Sequence, residues 1–391
     1  MDHSLATLGM STPDAMSPAL LRWADAILTA GEARRAVIIR GGGSKSFLSP
    51  TAHAGSELLD TREYSGIVSY EPSELVVTVK AGTRLVDLEA ELARCGQCLA
   101  FDPPHFGPDA TVGGMVAAGL SGPSRASVGS VRDFVLGLHA LNGRGEAVEF
   151  GGQVMKNVAG YDVSRVFAGS WGSLGVITQV SLKVMPMAPA EATLCFTLAQ
   201  PEALAQLARW RARPLPLNAS CWVADTSAPD SPTHLYVRLR GAAAAVDAAV
   251  PALCADVPGV RVDAEQAARD WPACRDHQLP FFVQPPSPDA ALWRLSVAPT
   301  TPALPGPWPT LVEWHGGLRW VWAPLSQSQT LHALAQAAGG HACVFRLPHG
   351  VVEAQGRHTP PSPAVLTIQQ RVKSAFDPFH VFNPGQWGFG L

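Results

Sequence analysis

RGGGSKSF, residues 40–47, follows the apolar run AVIIR (36–40) and precedes Leu48, Ser49 and Pro50. The apolar run predicts a strand, and three glycines at its end let backbone N–H groups approach a bound group closely. Such turns form concave nests of donors suited to an anion. Two familiar phosphate loops do not fit. A Walker loop joins glycine directly to lysine, whereas Ser44 separates Gly43 from Lys45. A Rossmann loop needs a third glycine at position 46 and then a helix, and Ser46 and Pro50 supply neither. The stretch reads as a phosphate loop of a third kind.

Two further glycine-bearing segments follow, TVGGMVAAGLSG (111–122) and GSWGSLGVIT (169–178). Taken singly, each is only a turn. Three in one half of the chain, each beside an expected strand, point together to one large phosphate-bearing ligand.

The 391 residues suffice for two domains, and 47% apolar against 16% charged residues supply a large core. A formal charge of −3 offers no basic field for nucleic acid. No run reaches the ~18 apolar residues of a membrane helix. The start MDHSLATLGM has no secretion signal, and seven scattered cysteines suit a reducing compartment. The expectation is a cytoplasmic protein.

Residues 14–30 predict an amphipathic helix, 74–83 a strand, 84–96 a helix through Leu85, Leu88 and Leu92, and 175–184 an alternating strand. Asn142-Gly143 between two apolar runs predicts a hairpin. Beyond Pro186 the chain turns Ala-, Pro- and Trp-rich, with helices expected at 202–210 and 242–253 and strands at 234–240, 292–299 and 318–324. That alternation predicts an α+β second domain, one sheet with helices on one face.

The segments IIRGGGSKSF, DATVGGMVAAGLSGPSRASVGSVRDFVLG, MKNVAGYDVSRVFAGSWGSLGVITQVSLKV and DPFHVFNPGQW resemble, in that order, flavoproteins of the vanillyl-alcohol-oxidase/PCMH type. That superfamily includes D-lactate dehydrogenases and glycolate oxidase flavin subunits, and the chain is most similar to the E-subunit family of glycolate oxidase. The resemblance covers 36–187 densely, 376–388 clearly and the middle loosely. It implies a PCMH-type FAD-binding domain over 1–187, an α+β, ferredoxin-like cap over 188–375, and a return of 376–391 to the FAD domain.

The resemblance also implies site residues. Arg40, Gly41, Gly42, Gly43, Ser44, Lys45 and Ser46 would wrap the FAD pyrophosphate, a side chain at Gly42 standing where the donors must pass. Thr111, Gly113 and Gly114 would form a second strip, and Ser121, Gly122 and Gly129 a third. Gly172, Gly175, Val176 and Ile177 would lie beside the adenosine end, Pro103 and Pro104 beside the flavin ring, and Asn383 in the terminal segment. Members with covalent flavin carry histidine after the glycines; Ser44 there implies non-covalent FAD, and His53 lies too far along the loop to replace it. The histidine-rich segment of the catalytic D subunit is missing from 188–372, so no metal is expected. The candidates left for 2-hydroxy-acid chemistry are Arg294 for the carboxylate and His349 for the hydroxyl proton; His315, His341 and His358 stand as lone histidines. Cys95 and Cys98 lack a second pair, which implies electron exit through a separate iron–sulfur F subunit alongside the D subunit, with peripheral attachment to the inner membrane through the complex. Two readings stay open: an FAD subunit oxidising glycolate or D-lactate, and a non-catalytic flavin-fold scaffold for the catalytic subunit. A self-contained oxidase or a UDP-sugar reductase fits less well.

Overall fold

A computed structural model describes residues 16–49, 55–152, 161–224, 232–352 and 356–389, which fall into two units. The first comprises residues up to 120, 130–186 and 361 onward; the second comprises 121–129 and 187–360. Both mix helices with antiparallel sheet, so the fold is α+β. The segment 155–160 of the third resemblance motif, and His53, lie outside the described residues.

In the first unit, Ser17 caps the helix Pro18–Glu32 by accepting from Leu20 N (3.4 Å), and the helix buries Trp23, Ile27 and Ala30. They pack with Val37 and Leu59 of the parallel pair β1 (Val37–Arg40) and β2 (Glu57–Asp60). The remaining strands are β3 (Ile67–Glu71), β4 (Val76–Lys80), β5 (Gln97–Cys98), β6 (Val135–Leu141), β7 (Ala147–Gly151), β8 (Val176–Lys183) and β9 (Met185–Pro186). Five of them form an antiparallel sheet in the order β3-β4-β8-β6-β7, while β5 pairs with β9. Leu85, Leu88 and Leu92 are fully buried on one side of the helix Leu85–Arg94, as their spacing predicts.

Two local expectations change. β8 alternates in polarity but is buried along nearly its whole length, because it is central; Ser181 there hydrogen-bonds Thr78 Oγ1 at 2.9 Å. The hairpin between β6 and β7 turns through residues 142–146 rather than through Asn142-Gly143 alone. Asn142 Oδ1 accepts from Arg144 N (2.8 Å) and Glu146 N (3.0 Å), and Gly145 takes the left-handed conformation.

The second unit holds β10 (Ala190–Thr197), β11 (Leu217–Ala224), β12 (Thr233–Gly241), β13 (Gly259–Arg261), β14 (Ala290–Ser296), β15 (Thr310–Glu313), β16 (Leu318–Pro324) and β17 (His341–Arg346). They form one antiparallel sheet, β13-β10-β12-β11-β15-β16-β14-β17. Helices Gln200–Arg211, Ala243–Asp256 and Ser328–Ala337 cover one face, through Leu194, Trp210, Val237 and Leu253 and, further along, Trp293, Val321, Leu331 and Val344. Helices do not stop at that face, contrary to the sequence expectation. Ala264–Arg275 and Pro280–Val283 lie on the other, where Trp271 Nε1 donates to Thr193 Oγ1 (2.9 Å) and Trp322 Nε1 to Phe281 O (2.7 Å). That face carries Thr193, Arg238, Arg294 and Glu313, which need partners once buried.

The unit boundaries fall elsewhere than sequence predicts. The chain returns to the first unit at 361, ahead of the helix Pro363–Phe376, and lends 121–129 to the second. Lys373 explains the return. It is 3% exposed, and its Nζ donates to Ser173 O (2.7 Å), Asp377 Oδ2 (2.7 Å) and Phe382 O (3.0 Å). Asp377 in turn accepts from Val381 N (3.1 Å) and Phe382 N (2.9 Å). Arg238 explains the loan, since its guanidinium donates to Asn218 Oδ1 and Ser124 Oγ, both at 2.6 Å.

Removing one member of a buried ion pair leaves the other charge uncompensated, at a cost of ~3–5 kcal/mol. Lys373→Met is expected to lower unfolding stability by that amount, read from urea denaturation of the first unit's transition. A loss below about 1 kcal/mol would mean that the pair does not hold the terminal segment in place.

Candidate functional site

A cavity of about 520 Å³ opens in the first unit, within the size range of small-molecule sites. Three chain strips and the terminal segment converge on it. Arg40, Gly41, Gly42, Gly43, Ser44, Lys45, Ser46, Thr111, Gly113, Gly114, Gly172, Gly175, Ile177 and Asn383 all line it. Sequence reading overlooked Ile38, Ile39, Ser49, Ser56, Leu58, Thr61, Ala81 and Trp171, which line it as well. A signal existed for Ala81 alone: it ends a strand-like run at Ala-Gly, the same pattern that flagged the other strips.

The glycines are required for a different reason than expected. A Cβ on Gly42 would stand 1.5 Å from Asp109 O, and one on Gly41 2.2 Å from Thr111 Oγ1. A Cβ on Gly113 would meet that of Ala81 at 2.6 Å. The glycine backbones are thus packed directly on neighbouring segments, on backbone at Gly42 and on short side chains at Gly41 and Gly113, and a side chain at Gly42 would collide with Asp109 rather than fill the ligand's space. The left-handed residue of the loop is Gly43, with φ +70°.

Whether these residues suit FAD can be read from their donors. The N–H groups of Gly42, Gly43 and Ser44 make no hydrogen bond among the described residues, though the three residues line the cavity. Unpaired donors in a glycine turn, with Arg40 and Lys45 beside them, match a pyrophosphate. Lys45 leans over the Phe106 ring at 5.5 Å and reaches His105 O at 3.4 Å. Ala81, Ala117, Ala118, Trp171 and Ile177 supply apolar wall for flat rings. The residues fit the group.

Asn383 lines the cavity, yet its side chain is committed to the protein. Oδ1 accepts from Ile39 N (2.9 Å) and Nδ2 donates to Trp171 O (2.7 Å), so it fastens two strips together. Six expected residues are not brought to the lining. Val176, Pro103 and Pro104 are buried outside it. Ser121, Gly122 and Gly129 belong to the second unit, where Gly122 O accepts from Trp314 Nε1 at 3.0 Å. A neighbouring groove of about 720 Å³ is lined by Arg22, Asp60, Arg62 and Glu63, whose charges pair with one another, Arg22 with Glu63 and Arg62 with Asp60 at 2.5 Å each.

In the second unit, Arg294 and His349 separate. Arg294 is half-buried on β14, its guanidinium 5.2 Å from the Trp314 ring and 6.0 Å from that of Trp320. His349 is exposed in the loop beyond β17 and makes no hydrogen bond or ion pair among the described residues. His315 is buried between Ser220 Oγ and Ser127 Oγ, each 3.0 Å from a ring nitrogen, and burial pulls its pKa down to about 4. Glu313 lies fully enclosed, accepting from Trp320 Nε1 (2.6 Å) and Cys274 Sγ (3.5 Å); burial pushes its carboxyl up to about 7.

The architecture and cavity define a PCMH-type FAD-binding protein, and residues 22–151 match the FAD binding domain family. The chain is 40% identical to the glycolate oxidase subunit GlcE of Escherichia coli (strain K12) over 350 residues, covering 90% of this chain and 92% of that one. The chain belongs to the glycolate oxidase E-subunit family. It is also 29% identical over 198 residues to glycolate oxidase subunit GlcD of Bacillus subtilis (strain 168), spanning 50% of this chain and 42% of that one. A D-lactate dehydrogenase of Anaerostipes hadrus is 33% identical over 132 residues, 34% of this chain and 27% of that one. Among solved structures, an alkyldihydroxyacetonephosphate synthase shares the fold with a TM-score of 0.65 and 15% identity, over 93% of this chain and 74% of its own.

Gly42→Ala is expected to purify with less than about a tenth of the wild-type flavin, because its Cβ must push the Asp109 strip away. Gly43→Ala meets no atom closer than Arg40 Cδ at 3.7 Å, so it carries only the left-handed penalty of ~1–2 kcal/mol and keeps most of its flavin. Flavin absorbance per chain decides between them; equal retention would disprove the packing account.

Glu313 makes a second prediction, on stability. Its folded pKa of about 7 lies above the ordinary 4.5, so the folded state holds the proton more tightly. The stabilisation is fully present below the unfolded value and is lost as pH rises through about 7. Glu313→Gln is expected to flatten the fall in melting temperature between about pH 5 and 7. An unchanged slope would locate the titration in another group.

Proposed function

We propose that this chain is the non-covalent FAD subunit of a multi-subunit enzyme that oxidises glycolate or D-lactate to the 2-oxo acid. The observation that carries the reading is the cavity, whose unpaired loop donors and glycine strips suit a pyrophosphate with flat rings at its ends. Its relatives support the substrate class.

In this reading the N–H groups of Gly42, Gly43 and Ser44 hold the phosphates, and Arg40 and Lys45 balance their charge. Thr111, Gly113 and Gly114 support one side of the cofactor, Gly172, Gly175 and Ile177 the other, with Asn383 locking the strips. When bound, FAD supplies a two-electron acceptor. No histidine, cysteine or tyrosine lines the cavity among the described residues, which supports a cofactor held without a covalent bond. Arg294 is the residue suited to the substrate carboxylate, because its guanidinium lies over the Trp314 and Trp320 rings and no carboxylate pairs with it among the described residues.

Cys95 is exposed and Cys98 half-buried, and no three His, Cys, Asp or Glu side chains among the described residues are grouped to hold a metal ion. That arrangement supports electron exit through a separate iron–sulfur subunit, beside a catalytic flavin subunit. No helix among the described residues is long and apolar enough to cross a membrane, so attachment to the inner membrane would come through those partners.

The purified chain is expected to be yellow, to release intact FAD on acid denaturation, and to bleach with glycolate under anaerobic conditions. A flavin spectrum that glycolate leaves unchanged would favour a scaffold for the catalytic subunit instead. A denatured chain heavier by one FAD would overturn the non-covalent assignment, and a colourless chain that takes up no added FAD would overturn the whole reading.

A further inference from the structure

The apolar face of the second unit's sheet contains one arginine. Arg319 on β16 stands opposite Leu295 of β14 and Val312 of β15, both part of the core beneath the helices. Facing residues on antiparallel neighbours share a side, so Arg319 points into that core, and it is 1% exposed. Its Nη2 donates to Thr301 O at 2.9 Å. Nε and Nη1 are buried and have no hydrogen-bond partner among the described residues. The charge is uncompensated too, since Arg319 makes no ion pair among the described residues. The loop 297–309, which carries Thr301, and the helix Ser328–Ala337, which packs beside Leu295, contain no Asp or Glu. Burial pulls the arginine's pKa down only to about 10, so it stays positive at neutral pH.

We propose that Arg319 holds a buried monatomic anion, chloride in ordinary salt solution, against the Nη1 edge of its guanidinium. The site lies in the core of the second unit and is independent of the cofactor reading.

A charged group in an apolar core costs free energy twice, once for its unmade hydrogen bonds and once for its uncompensated charge. A water molecule accepts a hydrogen bond and leaves the charge as it was. An anion answers both costs. Sulfate or phosphate would bring further oxygens that need donors of their own, and the nearby loop carbonyls offer none. Chloride needs only the N–H groups already there. The other flank of the guanidinium is closed: a Cβ on Gly316 would meet Pro299 O at 2.8 Å, Leu204 Cδ2 at 3.2 Å and Arg319 Nη2 at 3.7 Å. The ion is therefore placed at Nη1. Because the same guanidinium holds Thr301 O, and Thr301 N donates to Ala298 O at 2.9 Å, the ion also stabilises the turn 298–301 on the sheet.

Crystals of the full-length chain grown in sodium bromide are expected to show an anomalous peak within hydrogen-bond distance of Arg319 Nη1. A water at that place, or bromide confined to the protein surface, would overturn the proposal. Thermal unfolding reads the same site in solution. With ionic strength held constant by sodium gluconate, the second unit's melting temperature is expected to rise by about 3–5 °C per tenfold increase in chloride once the site is mostly filled. Arg319→Met removes the charge at similar side-chain length and is expected to abolish that rise. A wild-type melting temperature that ignores chloride would sink the idea, whether or not the variant folds. So would an Arg319→Met chain that keeps the wild-type chloride response, because the effect would then belong to salt in general.

Discussion

The first unit depends on one buried ammonium. Lys373 spends its three donors on Ser173 O, Phe382 O and the Asp377 carboxylate, and Asp377 uses its oxygens to fold the following residues back. Burial pulls the lysine's pKa down while the carboxylate beside it pulls the other way. A buried pair of this kind contributes little net attraction, but it tolerates only one arrangement of the chain around it. That arrangement lays 381–383 along β1, with Val37 N donating to Val381 O at 2.8 Å and Asn383 N donating to Val37 O at 3.0 Å. Asn383 then ties β1 to the 169–175 turn. The cavity wall is therefore completed by residues more than 300 positions away from the loop they support.

The glycine strips obey a related constraint. Their side-chain-free backbones allow Gly42 to lie on Asp109 and Gly113 on Ala81, at separations no Cβ permits. Close backbone approach leaves the N–H groups of 42–44 without a partner among the described residues, and half-buried donors gain when a ligand accepts from them. Packing and ligand affinity thus share one cause. A chain that closed the gap with side chains would also lose the donors.

The second unit solves a different problem. One face of its sheet is conventional apolar core; the other buries Glu313 and Arg238, and half-buries Arg294, among tryptophans. Each indole N–H there has an acceptor: Thr193 for Trp271, Glu313 for Trp320, Phe281 O for Trp322, Gly122 O for Trp314. The polar residues on that face are what hold the 264–283 helices and the borrowed segment 121–129 in place. The same burial raises the pKa of Glu313 to about 7 and lowers that of His277.

The sequence alone determined the family, the three glycine strips, the Leu85–Leu88–Leu92 helix face and most strands after Pro186. Each is written in a short window, either as a backbone requirement for glycine or as a period that matches one element. Tertiary structure alone decided why Gly42 must be glycine, because the atom that forbids a side chain belongs to Asp109. It also decided that Ser121, Gly122 and Gly129 serve the second unit, that Asn383 is a fastener, and that Lys373 is buried despite lying in an otherwise exposed helix. Nor does anything local in the chain join Arg294 to Trp320 and Cys343, its neighbours across the sheet. Strand register joins them, and register is settled by the packing of whole faces between segments far apart in sequence, which no short stretch of residues contains.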